Sequence, residues 1–560
     1  MPVNRRTFIK RTLLASGAVA GGRLLRPYNL LATPDTANPL RHIPDLEGNL
    51  MTVAPARFPL SPPNESAIYG INGSYLGPTV RLNRGEEFRV KMENRLPDQD
   101  LIIHWHGILA PSEMDGHPHL AVGSGSDFDY QFTINQRAGT YWYHSHTDKL
   151  TGPQVYKGVA GLFIVHDEEE RGLGLPEGEY DIPLVLQDKR VTPDFELEYD
   201  LNQTEIMRGW QGDTILVNGR PDTRIDVAPT LYRFRLLNGS NARVFLVGFE
   251  NGHSFHLIAN DGGLLEAPIE IDKFFLPPAG RAEILVDFSE FEVGATLLLR
   301  SLLYFNESFP GSRQGQEVDL LCFRVTQGEG SGGVIPQTMS TIEPYSLDDA
   351  VVTRKFQMHH KSGVGHTIND LAFELHRIDF EVPMEQLEVW EFFNPTQLIH
   401  PMHVHGTQFQ ILDRNGRKEN VRPEEQGWKD MALVFPQEQV RVLVRFDAHP
   451  GMFMLHCHNL EHEDDGMMMN FKVNTSTSVK EQGGGISFHA SPNPVQGETL
   501  IRFRSVKGDR QLRVLDLQGR VLSRHTVPSG RDSYLLDMSG FASGSYWCSL
   551  GNESIRLIVR

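Results

Sequence analysis

The chain has 560 residues, room for three or four domains of ordinary size. Its composition, 39% hydrophobic and 22% charged, is that of a globular protein, and a formal net charge of -18 excludes nucleic acid and anionic membranes as charge-selected partners. Its three cysteines, Cys322, Cys457 and Cys548, exclude a disulfide framework.

The N-terminal run Asn4-Arg5-Arg6-Thr7-Phe8-Ile9-Lys10 resembles a twin-arginine export signal. The apolar stretch at 12–22 is too short and interrupted for a membrane span, which needs ~20 apolar residues. Residues 1–35 are therefore read as a targeting segment, the alternative being a basic arm, with mature sequence starting between Ala32 and His42. The resemblance implies a protein exported folded, through the twin-arginine machinery, to the periplasm.

Beyond this segment, strand signals dominate. Residues 80–92 alternate apolar and polar on either side of an Arg84-Gly85 turn, and 231–237 and 440–446 alternate in the same way. Short strands separated by Gly, Pro and Asn indicate an all-β chain of sandwiches, and no long stretch has a helical period. Domains are expected at 44–166, 179–325 and 342–473, with a glycine-rich linker at 327–333 between the last two. A second linker at 481–485 precedes a small β unit at 486–560.

Histidine clusters punctuate this frame. His104-Trp105-His106-Gly107 and His144-Ser145-His146 lie in the first domain. His400-Pro401-Met402-His403-Val404-His405-Gly406 and the run from His456 to Met467 lie in the third. On a strand, next-but-one neighbours share a face, so each His-x-His pair presents two imidazoles together. In the last run Cys457 points one way while His456 and His458 point the other, so one strand can touch two metal sites. A blue copper centre needs a thiolate, two imidazoles and a weak thioether, and Cys457, His462 and Met467 supply three of these. The middle domain has His253 and His256 at strand spacing but no partner cluster, and these read as structural.

Over residues 45–475 this pattern resembles the multicopper oxidases, and Gly427-Trp428-Lys429-Asp430 with the tail at 461–469 is most similar to their bacterial three-domain branch. The resemblance implies three consecutive cupredoxin-like Greek-key sandwiches, the middle one without copper, holding four copper ions. His400, Cys457, His462 and Met467 match the type 1 ligands, and His104 and His403 match the type 2 ligands. His106, His144 and His458 match one type 3 copper; His146, His405 and His456 match the other. Asp115 and Glu463 match acids that relay protons during dioxygen reduction. The implied activity is laccase-like: one-electron oxidation of phenols, aromatic amines or bilirubin-like compounds, coupled to reduction of dioxygen to water. A cuprous oxidase is the alternative, but 351–397 lacks a methionine-rich insert and has only Met358 and Met384. A non-catalytic copper-binding protein is the alternative of another class, and the complete ligand set argues against it. Nitrite reductases resemble two-domain chains with the blue-copper cysteine in the first domain. Finally, Ser491-Pro492-Asn493-Pro494 and Gly544-Ser545-Tyr546 resemble the sorting domain of type IX secretion substrates, implying a route on to the cell surface or beyond; a small carbohydrate-binding sandwich is the alternative.

Overall fold

The computed structural model describes residues 37–304, 312–328, 330, 332–475, 489–491, 493–503, 508–516, 520–550 and 553–560. The twin-arginine run and the 481–485 linker lie outside these residues. The chain separates into two compact units, dividing between Thr475 and Ser476.

Three pairs of sheets build the first unit. In the first pair, a sheet ordered Asn64–Ile71, Leu50–Ser61, Glu87–Asn94, Asp127–Thr133 faces one ordered Val80–Asn83, Ala160–His166, Gly139–Ser145, Ile103–His104. The expected turn at Arg84-Gly85 carries the chain from one sheet to the other. Phe88, Val90 and Met92 point inward in strict alternation and join Met51, Trp105, Tyr130 and Phe163 in one core. Each such fully buried side chain contributes about 1.5–3 kcal/mol. The second pair is six- and seven-stranded, the third two five-stranded sheets, and each pair encloses a core of its own.

One strand joins a different neighbour from the one its sequence position suggests. Asn38–Pro39, ahead of the first sandwich, pairs in parallel with Thr223 and Arg224 of the middle one. Two residues carry too little pattern to register as a strand. Among the described residues the α-helices are four to six residues long, and no helix is long and apolar enough to cross a membrane.

The second unit holds a three-stranded and a four-stranded sheet around a core that includes Val514, Leu536, Cys548 and Leu557. All three cysteines are buried and free.

Candidate metal centre

Two strand pairs bring the His-x-His segments together. In the first sandwich His104 pairs directly with His144; in the third His403 pairs with His456 and Met402 with Cys457. Each pairing doubles a two-imidazole face into four. The faces meet: His104 and His403 approach at 3.4 Å between Nε2 atoms, His144 and His458 at 3.4 Å, and His146 and His456 at 3.3 Å, while within the third sandwich His405 and His456 stand 3.0 Å apart. His458 lies just past the end of strand Gly451–Cys457 yet still reaches this cluster.

The backbone decides which nitrogen faces inward. A carbonyl only accepts, so a ring nitrogen bonded to one carries the proton. The Nδ1–H of His104 donates to the Asp115 carbonyl (2.6 Å), that of His403 to the Asp430 carbonyl (2.9 Å) and that of His144 to the Ser145 carbonyl (2.8 Å). Their Nε2 lone pairs therefore converge. His106 is reversed: its Nε2 meets Asp430 Oδ1 at 3.1 Å, and its buried Nδ1 has no hydrogen-bond partner. Burial and neighbouring imidazoles hold His104, His106, His403, His405 and His458 far below the usual histidine range. Burial likewise pulls His144 and His146 down to about 3. Neutral imidazoles with converging lone pairs repel one another unless a cation lies between them, so the donor set fits copper.

Both expected acids stand at this cluster. Asp115 accepts from the His405 Nδ1–H at 2.7 Å, its Oδ1 is buried without a hydrogen-bond partner, and burial pushes its carboxyl well up. Glu463 lies 3.1 Å from His456 Nδ1 and 3.5 Å from His146 Nδ1. Burial pulls the Glu463 carboxyl up, but these two imidazoles more than offset it and hold it below its ordinary value.

A second donor group forms around Cys457. Its Sγ is 3.5 Å from His400 Nδ1 and 3.7 Å from His462 Nδ1, all three residues fully buried. After Cys457 the chain turns into the helix Leu460–Asp464, capped by the Asn459 side chain, which swings His462 back to the thiol. The Met467 carbonyl accepts from the Cys457 N–H at 3.0 Å, and the Met467 side chain packs in the same core as Cys457. Burial pushes the thiol well up, so a cation is needed to hold it as thiolate. By contrast, His253 packs edge-on against Phe291 at 4.8 Å and lies in neither group.

Residues 54–170, 186–300 and 344–477 each match a family model described as multicopper oxidase. Multicopper oxidase mco of Staphylococcus aureus is 33% identical over 416 residues, 73% of this chain and 85% of that protein. The chain belongs to the multicopper oxidase family. A laccase of Bacillus stratosphericus is 31% identical over 468 residues, 73% of this chain and 90% of that protein. The crystal structure of McoA multicopper oxidase from the hyperthermophile Aquifex aeolicus is similar at TM-score 0.71 and 35% identity, covering 79% of this chain and 100% of that one. Residues 490–560 match a secretion system C-terminal sorting domain.

This multicopper oxidase is thus a copper-dependent oxidoreductase with cupredoxin-like sandwiches. Its metal centre also draws on residues that sequence patterns left without a role. Asp430 holds His106 through its side chain and His403 through its carbonyl, and the fully buried Arg281 of the middle sandwich donates to its carboxylate, from Nη1 at 2.8 Å. Gly107, at φ +83°, permits this approach: a Cβ there would stand 2.7 Å from both Arg281 Nη2 and Asp430 Oδ2. Only the Gly427-Trp428-Lys429-Asp430 motif hinted at Asp430, and nothing local marks Arg281.

Proposed function

We propose that this multicopper oxidase is a laccase-like four-copper enzyme acting on phenols, aromatic amines or bilirubin-like compounds. The observation that carries the reading is the convergence of eight buried imidazoles beside a buried thiol carried by the strand Gly451–Cys457. His400, Cys457, His462 and Met467 would hold the type 1 copper, and His104 and His403 the type 2 copper. His106, His144 and His458 would hold one type 3 copper, and His146, His405 and His456 the other. Copper in these places supplies one-electron uptake at the thiolate centre and four-electron reduction of dioxygen to water at the cluster. The chain's own part is to fix each ring, to bridge the centres through Cys457 with its flanking His456 and His458, and to deliver protons. Asp115 and Glu463 lie against His405, His456 and His146, where a proton is needed. Oxygen uptake by the copper-loaded protein, with a phenol and with Cu(I) side by side, tests the substrate class. Uptake with Cu(I) alone would mark a cuprous oxidase instead.

Two substitutions probe separate parts of this scheme. Asp115→Asn is expected to slow reoxidation of the reduced enzyme by dioxygen by roughly a hundredfold. Anaerobic reduction by substrate should stay near normal, and stopped-flow absorbance at the blue band separates the two steps. Met467→Leu removes a weak thioether donor that favours the oxidised copper, so the reduction potential should rise while the blue band persists. A redox titration that finds the potential unchanged or lower would turn attention to Met468 or Met469.

For localisation, the twin-arginine run would take the folded protein to the periplasm. The sorting domain at 490–560 would then direct it, by type IX machinery, to the cell surface or beyond.

A further inference from the structure

The imidazoles beside the Cys457 thiol do not reach the surface. His400 and His462 are fully buried. The Nε2–H of His462 donates to the Met207 carbonyl at 3.0 Å, which sits on the short helix Gln203–Arg208. A reductant cannot touch His462 without displacing that segment. Another ring already lies against it: His366 stacks on His462 with centroids 4.0 Å apart and planes at 23°. His360 packs edge-on against His366 at 4.8 Å and is itself exposed.

Local structure explains this series. Strands Val352–Lys361 and Gly365–Ile368 form a hairpin in which His360 and His366 are direct partners, and cross-strand partners lie close enough for their rings to meet. Gly365, at φ +106°, brings the hairpin against Asp465; a Cβ there would be 2.8 Å from the Asp465 carbonyl and carboxylate oxygens. That approach lets Asp465 Oδ2 accept from the His366 backbone N–H at 2.9 Å and from its Nδ1–H at 2.8 Å. The residue that follows the helix carrying His462 thus locks the orientation of the ring stacked on it.

We propose that electrons reach the Cys457 centre through the rings of His360, His366 and His462, and that the reducing substrate docks at His360. This rests on the copper centre proposed above for Cys457, His400 and His462. Each turnover step removes one electron from the phenol; its hydroxyl proton passes to solvent at the exposed face, and the electron reduces copper(II) to copper(I). His366 is a positioning and conducting residue, buried away from substrate, while His360 makes the contact.

The test uses the copper-loaded enzyme, reduced anaerobically by hexacyanoferrate(II) and, separately, by a phenol. His366→Leu, which removes the ring, is expected to slow reduction of the blue band about tenfold with both reductants, and His366→Phe, which keeps a ring, to restore most of the rate. The blue absorption and its potential should not move. His360→Ala should raise the phenol concentration needed for half-maximal rate about tenfold with little change in the saturating rate. It should also weaken calorimetric binding of 4-nitrophenol, an electron-poor phenol, to the oxidised enzyme. A His366→Leu rate within about twofold of wild type with both reductants overturns the route, as does a shifted potential or blue band that accounts for the loss. Wild-type reduction by hexacyanoferrate(II) but not by phenol would overturn the phenol reading while the route is still read from the first reductant.

Discussion

Cys457→Ser is expected to abolish both the intense blue absorption and oxidase turnover while leaving the fold in place. Serine is close in size, and the site lies in a core whose other members, Met402, Phe453 and Phe471 among them, are untouched. What changes is the donor. The buried thiol becomes a thiolate only when a cation stabilises it, and a hydroxyl at the same place would hold its proton far more firmly. The eight-imidazole cluster keeps all of its ligands, so copper content should fall by about one ion per chain rather than to zero. Metal analysis alongside the visible spectrum checks this; a surviving blue band would remove Cys457 from the centre.

Asp430→Ala should be the most destabilising single change at the cluster. It strips the fully buried Arg281 of its closest counter-charge. Breaking such a pair costs about 3–5 kcal/mol, because the remaining charge stays buried. Asp261, 3.6 Å from Arg281 Nη1, offsets only part of this, since it is also paired with Lys429 at 2.6 Å. The same change frees His106 Nε2, and loss of a partner that orients a metal ligand typically lowers affinity about 10–100-fold. The double variant Arg281→Met/Asp430→Leu separates the two effects. Thermal unfolding should recover, because an apolar pair replaces a buried ionic one. Copper retention should not recover, because His106 is still unheld. Full copper retention in the double variant would show that Asp430 acts on stability alone.

The sequence made the sandwiches and most of the donor set legible, for a physical reason. A strand repeats every second residue, so inward apolar side chains and His-x-His pairs are written locally, as in 87–94 and around His104. Asp115 and Glu463 are expected only from the resemblance; in the structure each lies against an imidazole of the cluster. What stayed hidden depends on contacts between distant segments. Arg281 meets Asp430 across 149 positions and carries no local signature. His366 reaches His462 only because a glycine admits Asp465 to the hairpin. The strand Asn38–Pro39 is too short to show alternation, and the helix Leu460–Asp464 is too short to show a period.

Half of the cluster imidazoles come from the first sandwich and half from the third, and Nε2 atoms 299 residues apart meet at 3.4 Å. Copper held there, as proposed above, would also be a cross-link, tying the two ends of the first unit around a middle sandwich that supplies Arg281 but none of these imidazoles. A ligand that binds only the folded state adds stability with its free concentration, about 2.7 kcal/mol at one hundred times its dissociation constant. The melting temperature of this protein should therefore track copper supply, and chelation should loosen the seam between the outer sandwiches before it unfolds either one.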